Sequence, residues 1–348
     1  MLHVYYGREN LDKDKFMFDR IAGELTRDHQ KILLLVPDQF TLQAERNAFS
    51  CLGVDGLMDL EVMSQSRLGF KVLSEVGGSS RVPVDKYGRH MLLTKILTEE
   101  NDRLEAFRGM NRKASFVEMA NNLISEMKQF NASPEDLGRI LQETEGTSLL
   151  HRKLKDIHTI YKKYEELIEG KYLDTEDYLN LFVSKIGQSR FVRNSVIWIS
   201  GFDYFTPKTL NVIEQLMIYA AEVNAVLTAD CPSDSADCAS GPKGCAPNPG
   251  SRDGDLFELT RSLMHKLKVI AARNGVGYEE NPIDRSYLIP VGDGPGEKAA
   301  PLLHLEQELY AQPYRRAAAG NSVTLCQAAN FYAEAETAAA KIVHLTRE

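Results

Sequence analysis

A run of five apolar residues at positions 32–36 (Ile-Leu-Leu-Leu-Val) constrains the fold of this chain more than any other feature. No polar residue alternates with them, so the run is typical of a strand that is buried on both faces. Strands of this kind belong to parallel sheets that are covered by helices. Pro37 cannot continue a central strand, and Asp38 or Thr41 is placed to cap the helix that follows. The sequence therefore predicts an α/β fold.

Further apolar stretches alternate with segments of helical spacing along much of the chain, which is the pattern of βαβ units. We predict additional strands at residues 3–6, 57–63, 195–201, 223–229 and 323–329. Helices are predicted at residues 16–25, 64–73, 207–217, 256–272 and 333–345. The last of these helices is followed by neither a cap nor another strand, so we expect the chain to be the front part of a longer protein.

The middle of the chain has a different pattern, because residues 86–186 show helical periodicity almost throughout. Ser133 and Pro134, followed by two acidic residues, form a typical helix start, and residues 149–168 are long and amphipathic. We expect residues 85–189 to form an all-helical subdomain without strands. It would be inserted into a sheet domain built from residues 1–84 and 190–348. Composition predicts flexible loops at 231–255 and 290–300.

The loop after the first predicted strand has the position and length of a phosphate-binding loop. Gly7 and Lys13 have the separation that the nucleotide-binding motif requires. Asp12, however, stands where the second glycine belongs, and Asp14 replaces the hydroxyl that would bind Mg²⁺. Two carboxylates repel a polyphosphate, so we expect a degenerate loop that no longer hydrolyses ATP.

Charge and cysteine content exclude several classes of protein. The net charge of −8 argues against non-specific, charge-driven binding to nucleic acid. No apolar run approaches the roughly 18 residues needed to cross a bilayer, and the amino terminus lacks a signal-peptide pattern, so a cytoplasmic location is expected. Cys231, Cys238 and Cys245 do not have the paired spacing of zinc ligands, so no metal site is predicted.

Several motifs together resemble the N-terminal part of the AddB family, which forms one half of the bacterial AddAB helicase-nucleases. They are residues 36–41 (VPDQFT), 66–68 (SRL), 201–207 (GFDYFTP), 227–230 (LTAD) and 327–330 (QAAN), followed by an acidic helix at Glu334 and Glu336. The resemblance extends over essentially the whole chain. It implies a P-loop NTPase-like sheet domain, similar to the first motor domain of a superfamily I helicase, with a helical subdomain inserted.

Two departures from working helicases indicate an inactivated motor. Active enzymes place an acidic pair after the strand predicted at 195–201 to hold Mg²⁺ and a catalytic water, and here only Asp203 is available. Many relatives also keep a complete phosphate-binding loop, which this chain lacks. We therefore expect no catalytic residue in this chain, and a role in holding DNA.

Six side chains follow predicted buried strands and are expected to converge at one edge of the sheet. They are Gln39, Thr41, Arg67, Phe70, Phe202 and Phe205. Aromatic rings stack on the bases of single strands, and amide and guanidinium groups read base edges. The resemblance implies the same use, because the matching surface in the AddB family recognises the Chi sequence. Gln65 stands where the family can have an aromatic residue, so the sequence that is read can differ.

The expected function is therefore DNA scanning by an inactive helicase-like domain that binds single- and double-stranded DNA. The resemblance implies a heterodimer with an AddA-type helicase-nuclease, in double-strand break repair by homologous recombination. It also implies that an iron–sulfur cluster and Mg²⁺ belong to a C-terminal nuclease region outside this chain, with no cofactor here. Two alternatives stay open. One is an active P-loop ATPase or nucleotide kinase, and the other is a protein-interaction scaffold that uses the helical insertion to grip a partner.

Overall fold

The computed structural model describes residues 1–26, 31–54, 56, 59–77, 81–144, 146, 148–230, 256–292, 294, 296–311, 313–317 and 323–347. The predicted loop at 231–255, with Cys231, Cys238 and Cys245, lies outside these residues. Positions 57 and 58 of the third predicted strand lie outside them as well.

The described residues form eight strands and thirteen α-helices. The strands are β1 (Leu2–Gly7), β2 (Lys31–Leu35), β3 (Leu60–Met63), β4 (Val82–Pro83), β5 (Tyr172–Leu173), β6 (Ser195–Ile199), β7 (Glu222–Thr228) and β8 (Tyr278–Pro282). The helices are α1 (Lys13–Leu25), α2 (Thr41–Leu52), α3 (Gln65–Val76), α4 (Lys86–Glu99), α5 (Ala114–Gln129), α6 (Pro134–Glu143), α7 (Leu149–Ile168), α8 (Thr175–Lys185), α9 (Arg190–Arg193), α10 (Pro207–Tyr219), α11 (Glu258–Arg273), α12 (Ala300–Glu308) and α13 (Phe331–Leu345).

Six of these strands form one sheet in the order β3-β2-β6-β7-β1-β8, and every neighbouring pair is parallel. The predicted α/β fold with a parallel sheet is confirmed. From Ile32 to Leu35, no side chain of β2 is more than 1% exposed, as expected for a strand covered on both faces. β1 and β2 are consecutive in the chain, but β6 and β7 lie between them in the sheet. Strand order of this kind depends on contacts far apart in sequence.

The chain divides into two compact units. The first comprises Met1–Gly7, Lys13–Asp230 and Phe257–Ile283, so it contains both the six-stranded sheet and the helical segment. The second comprises the described residues of Arg8–Asp12 and Asp284–Glu348, together with residue 256. The boundaries predicted at residues 85 and 189 stay a prediction.

Helices α4 to α7 and the loop between α4 and α5 share an apolar core of their own, with Leu93, Leu97, Phe116, Ile160 and Tyr164 among its buried members. The predicted helix at 149–168 is confirmed as α7. The expectation that this segment contains no strand is wrong at one point, because β5 pairs in parallel with β4. Gly170 has a φ of +71°, which lets the chain turn from α7 into β5.

One other strand expectation is wrong, and the edge strand β8 was not expected. Residues 323–328 form no strand, and the Leu325 side chain is 97% exposed. A strand needs a neighbour that supplies backbone hydrogen bonds, and no described residue pairs with this segment. In contrast, β8 was not predicted. It pairs with β1 at the edge of the sheet, and its polar sequence (Tyr-Glu-Glu-Asn-Pro) leaves most of its side chains exposed.

The predicted helix starts are largely confirmed. The side chains of Ser64, Ser133 and Thr206 cap α3, α6 and α10, and Ser133 forms a capping box with Asp136. The expected cap of α2 is wrong. Residues Asp38–Phe40 form a 3₁₀ turn, and α2 begins at Thr41 without a side-chain cap in the described structure.

Candidate nucleic-acid interface at the carboxyl edge of the sheet

Three neighbouring strands bring the predicted DNA-binding residues to one edge of the sheet. β3, β2 and β6 lie side by side and run in the same direction, so their carboxyl ends meet. Gln39 and Thr41 follow β2, Arg67 and Phe70 lie on α3 after β3, and Phe202 and Phe205 follow β6. The expected convergence at one edge therefore rests on direct neighbours in the sheet.

Hydrogen bonds connect the ends of β2 and β3. The Ser66 hydroxyl donates to Asp38 Oδ1 at 2.6 Å, and the hydroxyls of Ser64 and Ser66 lie 2.9 Å apart. Ser64 Oγ also accepts the backbone N–H of Arg67 at the start of α3. The turn after β2 is thereby tied to the first turn of α3, which holds Arg67.

A second set of contacts connects β3 and β2 with β6. The Thr209 hydroxyl on α10 donates to Gln65 Oε1 at 3.3 Å and lies 3.0 Å from the Thr206 hydroxyl. Gly201 has a φ of +78°, and a Cβ there would lie 3.4 Å from Pro37 Cδ. The loop after β6 therefore packs closely on the turn after β2. All three strand ends form one connected surface.

The Arg67 guanidinium is exposed and projects from the first turn of α3. Within the described part of the chain, no hydrogen bond or ion pair engages it. A cation at this position is disfavoured by the helix dipole, so an external anion or base edge is a suitable partner. Gln39 is exposed in the 3₁₀ turn, whereas Thr41 is half-buried and donates its hydroxyl to the Asp38 carbonyl at 3.2 Å.

The aromatic residues of the interface differ in exposure. Phe70 is 71% exposed on α3, which leaves a ring face free for stacking. Phe202 is half-buried, and Phe205 is buried at 7% exposure with its ring centroid 5.2 Å from that of Phe202. A buried ring offers no free face to a base. In this conformation Phe205 is placed to support Phe202.

Two exposed aromatic residues at the same edge were not singled out from the sequence. Phe40 follows β2 and is 48% exposed, and Tyr204 follows β6 and is 64% exposed. A Cβ on Gly201 would lie 4.0 Å from Phe40 Cδ2, which places Phe40 beside the loop after β6. The signal that could have found them is their position in the same turns as Gln39 and Phe202.

Gln65 is the first residue of α3 and has an incompletely satisfied amide. Its Oε1 accepts from Thr209, but its buried Nε2 has no hydrogen-bond partner among the described residues. Buried amide donors are usually paired, so the hydrogen bonding of Gln65 at this interface is incomplete among the described residues.

The loop that the sequence predicts to be a degenerate phosphate-binding loop follows β1. Gly7 ends β1 and Lys13 begins α1. Between them, the Asp12 N–H donates to the Tyr287 carbonyl at 2.8 Å, and the Asn10 carbonyl accepts from the Ile289 N–H at 2.9 Å. The backbone of this loop is thus partly occupied by the segment around Leu288, which pairs with Leu11 as an isolated antiparallel bridge.

The described residues contain no group of three or more His, Cys, Asp or Glu side chains placed to hold a metal ion. In the same residues, no helix combines the length and apolar character required to cross a membrane.

Comparison with known proteins connects this arrangement to a family. The family model described as "ADDB, N-terminal" matches residues 4–306. The chain belongs to the AddB N-terminal family. The predicted resemblance is thereby confirmed, and the matched residues include the motifs after β2, β3 and β6 and the motif at the end of β7.

Curated relatives of the AddB family match the whole chain. It is 33% identical over 351 residues to a protein of Alkaliphilus oremlandii that is named as the B subunit of an ATP-dependent helicase/deoxyribonuclease, with 100% of the chain and 29% of the relative covered. Identically named relatives are from Alkaliphilus metalliredigens (33% over 350 residues, 99% and 28% covered) and Bacillus thuringiensis subsp. konkukian (34% over 355 residues, 100% and 29% covered). The chain thus spans less than a third of the length of these relatives.

Proposed function

We propose that this chain binds single-stranded DNA and reads a Chi-type sequence as the N-terminal region of an AddB protein. The whole protein would act in double-strand break repair by homologous recombination. One observation supports this most: β3, β2 and β6 are direct neighbours, and the side chains at their carboxyl ends form one connected surface. Ligands of open α/β sheets bind at this edge.

The chemistry at this edge suits bases more than the phosphate backbone. A guanidinium such as that of Arg67 forms two hydrogen bonds with a guanine edge, and an amide such as that of Gln39 pairs with adenine. Phe70 and Phe202 supply stacking surfaces that accept any base. With a net charge of −8, the chain gains little from general attraction to phosphates. Recognition of bases is therefore the expected source of affinity.

We infer that the chain does not hydrolyse ATP. A working phosphate-binding loop keeps its backbone N–H groups free to surround the phosphates. Here the Asp12 N–H donates to Tyr287, and Asp12 and Asp14 add negative charge at the positions where phosphate and Mg²⁺ would bind. Asp203 is the one carboxylate that follows β6 before α10, where an active motor has an acidic pair.

The rest of the assembly follows from the relatives and is proposed for this protein by extension. Their names describe one subunit of an enzyme, which implies a partner, and we propose an AddA-type helicase-nuclease and double-stranded DNA as further partners. An iron–sulfur cluster and Mg²⁺ would belong to the nuclease region of the longer protein. A protein that processes chromosomal DNA would act in the bacterial cytoplasm.

The test compares Arg67→Ala with a matched control, Arg112→Ala. Arg112 is also exposed, and no described residue forms a side-chain hydrogen bond or ion pair with it. Oligonucleotides that bind the wild-type chain are first isolated from a random pool of single-stranded 12-mers. The selection is done with the chain alone and with the chain mixed with its AddA-type partner. The preferred and a shuffled oligonucleotide are then titrated at two salt concentrations.

Arg67→Ala should weaken binding of the preferred oligonucleotide by about 1–3 kcal/mol, with little change for the shuffled one. Arg112→Ala should leave both affinities unchanged. Equal losses of affinity for both oligonucleotides, with a reduced salt dependence of binding, would indicate that Arg67 contacts a phosphate and not a base. If the wild-type protein retains no oligonucleotide in either form, the DNA-reading proposal is wrong and the scaffold alternative gains support.

A further inference from the structure

Helix α3 presents two of the predicted DNA-binding residues on one side and packs through a glycine on another. Arg67 and Phe70 are exposed, whereas Leu68, Gly69 and Val72 are buried. The residue that Gly69 faces is Tyr178, in the first turn of α8. The helix that positions Arg67 therefore rests directly on the helical segment of the chain.

The contact between Gly69 and Tyr178 leaves no room for a side chain. A Cβ on Gly69 would lie 2.9 Å from Tyr178 Cε1 and 3.1 Å from the Tyr178 hydroxyl oxygen. Packed interiors do not accommodate such distances, so an added methyl group must displace either the ring or α3. Tyr178 is half-buried, and its burial raises the pKa of its hydroxyl.

Tyr178 lies in the first turn of α8, and hydrogen bonds hold this turn in place. The Tyr178 N–H donates to the Asp174 carbonyl at 2.8 Å, and Asp174 is the N-cap of α8. The buried Asp174 carboxylate in turn accepts from Lys128 Nζ at 2.7 Å and from the Tyr164 hydroxyl at 3.2 Å. Displacing the start of α8 would disturb these buried bonds. An added methyl group at Gly69 is therefore accommodated by rotation of the half-buried Tyr178 ring or by movement of α3, and either change alters how the ring supports α3.

The other end of α3 is also anchored. Glu75 accepts from the Ser189 hydroxyl at 2.5 Å and from the Arg190 N–H at 2.9 Å. α3 is therefore held at both ends, and a displacement at Gly69 acts on the segment between the two anchors. Arg67 and Phe70 lie in that segment, close to Gly69.

We propose that Tyr178 is a positioning residue that sets the location of Arg67 and Phe70 through its contact with Gly69. The helical segment thereby determines how sharply the sheet edge discriminates between DNA sequences. This inference rests on the proposed DNA-reading function. The site would remain chemically intact without the contact, but its hydrogen-bonding groups would be misplaced relative to the base edges.

The experiment measures a discrimination ratio, which is the affinity for the preferred 12-mer divided by that for its shuffled version. The variants are Gly69→Ala, Tyr178→Leu, the double variant that combines them, and Tyr178→Phe. Gly138→Ala in α6 is the matched control, because a Cβ there would lie at an ordinary 3.6 Å from His158 Nε2. Circular dichroism and thermal unfolding verify that each variant is folded.

Each single substitution at the contact should lower the ratio about tenfold, within the range of coupling that contacting residues show. Gly69→Ala changes how the Tyr178 ring meets α3, whereas Tyr178→Leu removes the ring that supports α3. The double variant should recover most of the ratio, because the added methyl fills the space that the smaller side chain leaves. Tyr178→Phe and Gly138→Ala should match the wild type. Recovery in the double variant is not expected from simple loss of stability.

Several results would overturn the inference. An unchanged ratio in both single variants would show that α3 is positioned by other contacts, and the DNA-reading proposal would then stand alone. Equal weakening for both oligonucleotides, or no recovery in the double variant, would assign the contact a structural role only. Should Gly69→Ala fail to fold, Tyr178→Leu and the double variant provide the same comparison. If the wild type prefers no sequence, the proposed function and this inference are both wrong.

Discussion

The ammonium nitrogen of Lys128 on α5 lies 2.7 Å from Asp174 Oδ2 at the start of α8, and the two side chains are only 5% and 1% exposed. Asp177 Oδ2 lies 3.1 Å and Glu165 Oε1 2.9 Å from the same nitrogen, the latter as an ion pair without hydrogen-bond geometry. One buried cation therefore faces three carboxylates, which come from α7, α8 and the N-cap of α8. The arrangement connects three helices at a single point.

Replacing Lys128 by Met should destabilise the protein by about 3–5 kcal/mol, because it leaves buried carboxylates without a counter-charge. Urea unfolding measures the change. Lys95→Met is the control, since Lys95 forms an exposed ion pair with Glu99 at 3.8 Å and should cost less than about 1 kcal/mol. Similar losses in the two variants would contradict this account of the Lys128 cluster.

The contribution of Lys128 should persist to high pH. Burial alone lowers the pKa of Lys128, but the charges of Asp174 and Asp177 outweigh it, so the pKa is raised from its ordinary 10.5. A raised lysine pKa stabilises the folded state fully below about 10.5 and less as pH rises further. The stability difference between wild type and Lys128→Met should be constant from pH 7 to 10 and decrease above 10.5. A difference that already declines near pH 8 would contradict the raised pKa.

Asp156→Ala should loosen the loop between α4 and α5. The buried Asp156 carboxylate accepts the backbone N–H groups of Glu105, Ala106 and Phe107 at 2.8–3.1 Å. Its removal leaves three donors unpaired and should cost about 2–3 kcal/mol. Amide hydrogen exchange at residues 105–107 should also be faster in the Asp156→Ala variant than in the wild type. Asp102→Ala, at an exposed position nearby, should change neither quantity.

Phe70→Ala should lower the affinity for single-stranded DNA of any sequence by about 1–3 kcal/mol, because stacking on an aromatic ring does not depend on base identity. Phe130→Ala is a suitable control, since Phe130 is 56% exposed at the end of α5 in the helical segment. Fluorescence anisotropy with two unrelated oligonucleotides measures both variants. A loss confined to one sequence would assign Phe70 to base reading.

Mg·ATP at millimolar concentration should leave the melting temperature of the chain unchanged, because Asp12 and Asp14 repel phosphate and the Asp12 N–H is already bonded. A ligand present at a hundredfold excess over its Kd would stabilise the protein by about 2.7 kcal/mol. A rise in the melting temperature that corresponds to this stabilisation, measured by differential scanning fluorimetry, would support the active ATPase alternative.

The strands that were predicted most accurately are those whose own sequence is enough to indicate that they are buried. The run at 32–36 and the stretch beginning at Ser195 are continuous apolar segments, and both are central strands. β8 was not predicted because its sequence is polar. An edge strand is stabilised by pairing with one neighbouring strand, so it does not need an apolar sequence. The strand expected at 323–329 failed for the converse reason, since apolar residues alone do not create a partner to pair with.

The sequence predicted which residues form the candidate site more completely than it predicted how they are arranged. Residues after buried strands must reach the same edge of a parallel sheet, which is a local inference. The adjacency of β3, β2 and β6 is not local, because β6 is more than 130 residues beyond β3 in the chain. The burial of Phe205 and the contact between Gly69 and Tyr178 depend on the same long-range packing.

Strand order has a consequence for how this protein could change over evolutionary time. β7 separates β1 from β6, so about two strand spacings, roughly 10 Å, lie between the end of β1 at Gly7 and the end of β6 at Ile199. β1 pairs with β7 and β8 and not with β3, β2 or β6, so the end of β1 takes no part in the pairing that joins those three strands. In a sheet with this order, residues at the end of β1 can change while selection acts separately on the residues that follow β3, β2 and β6.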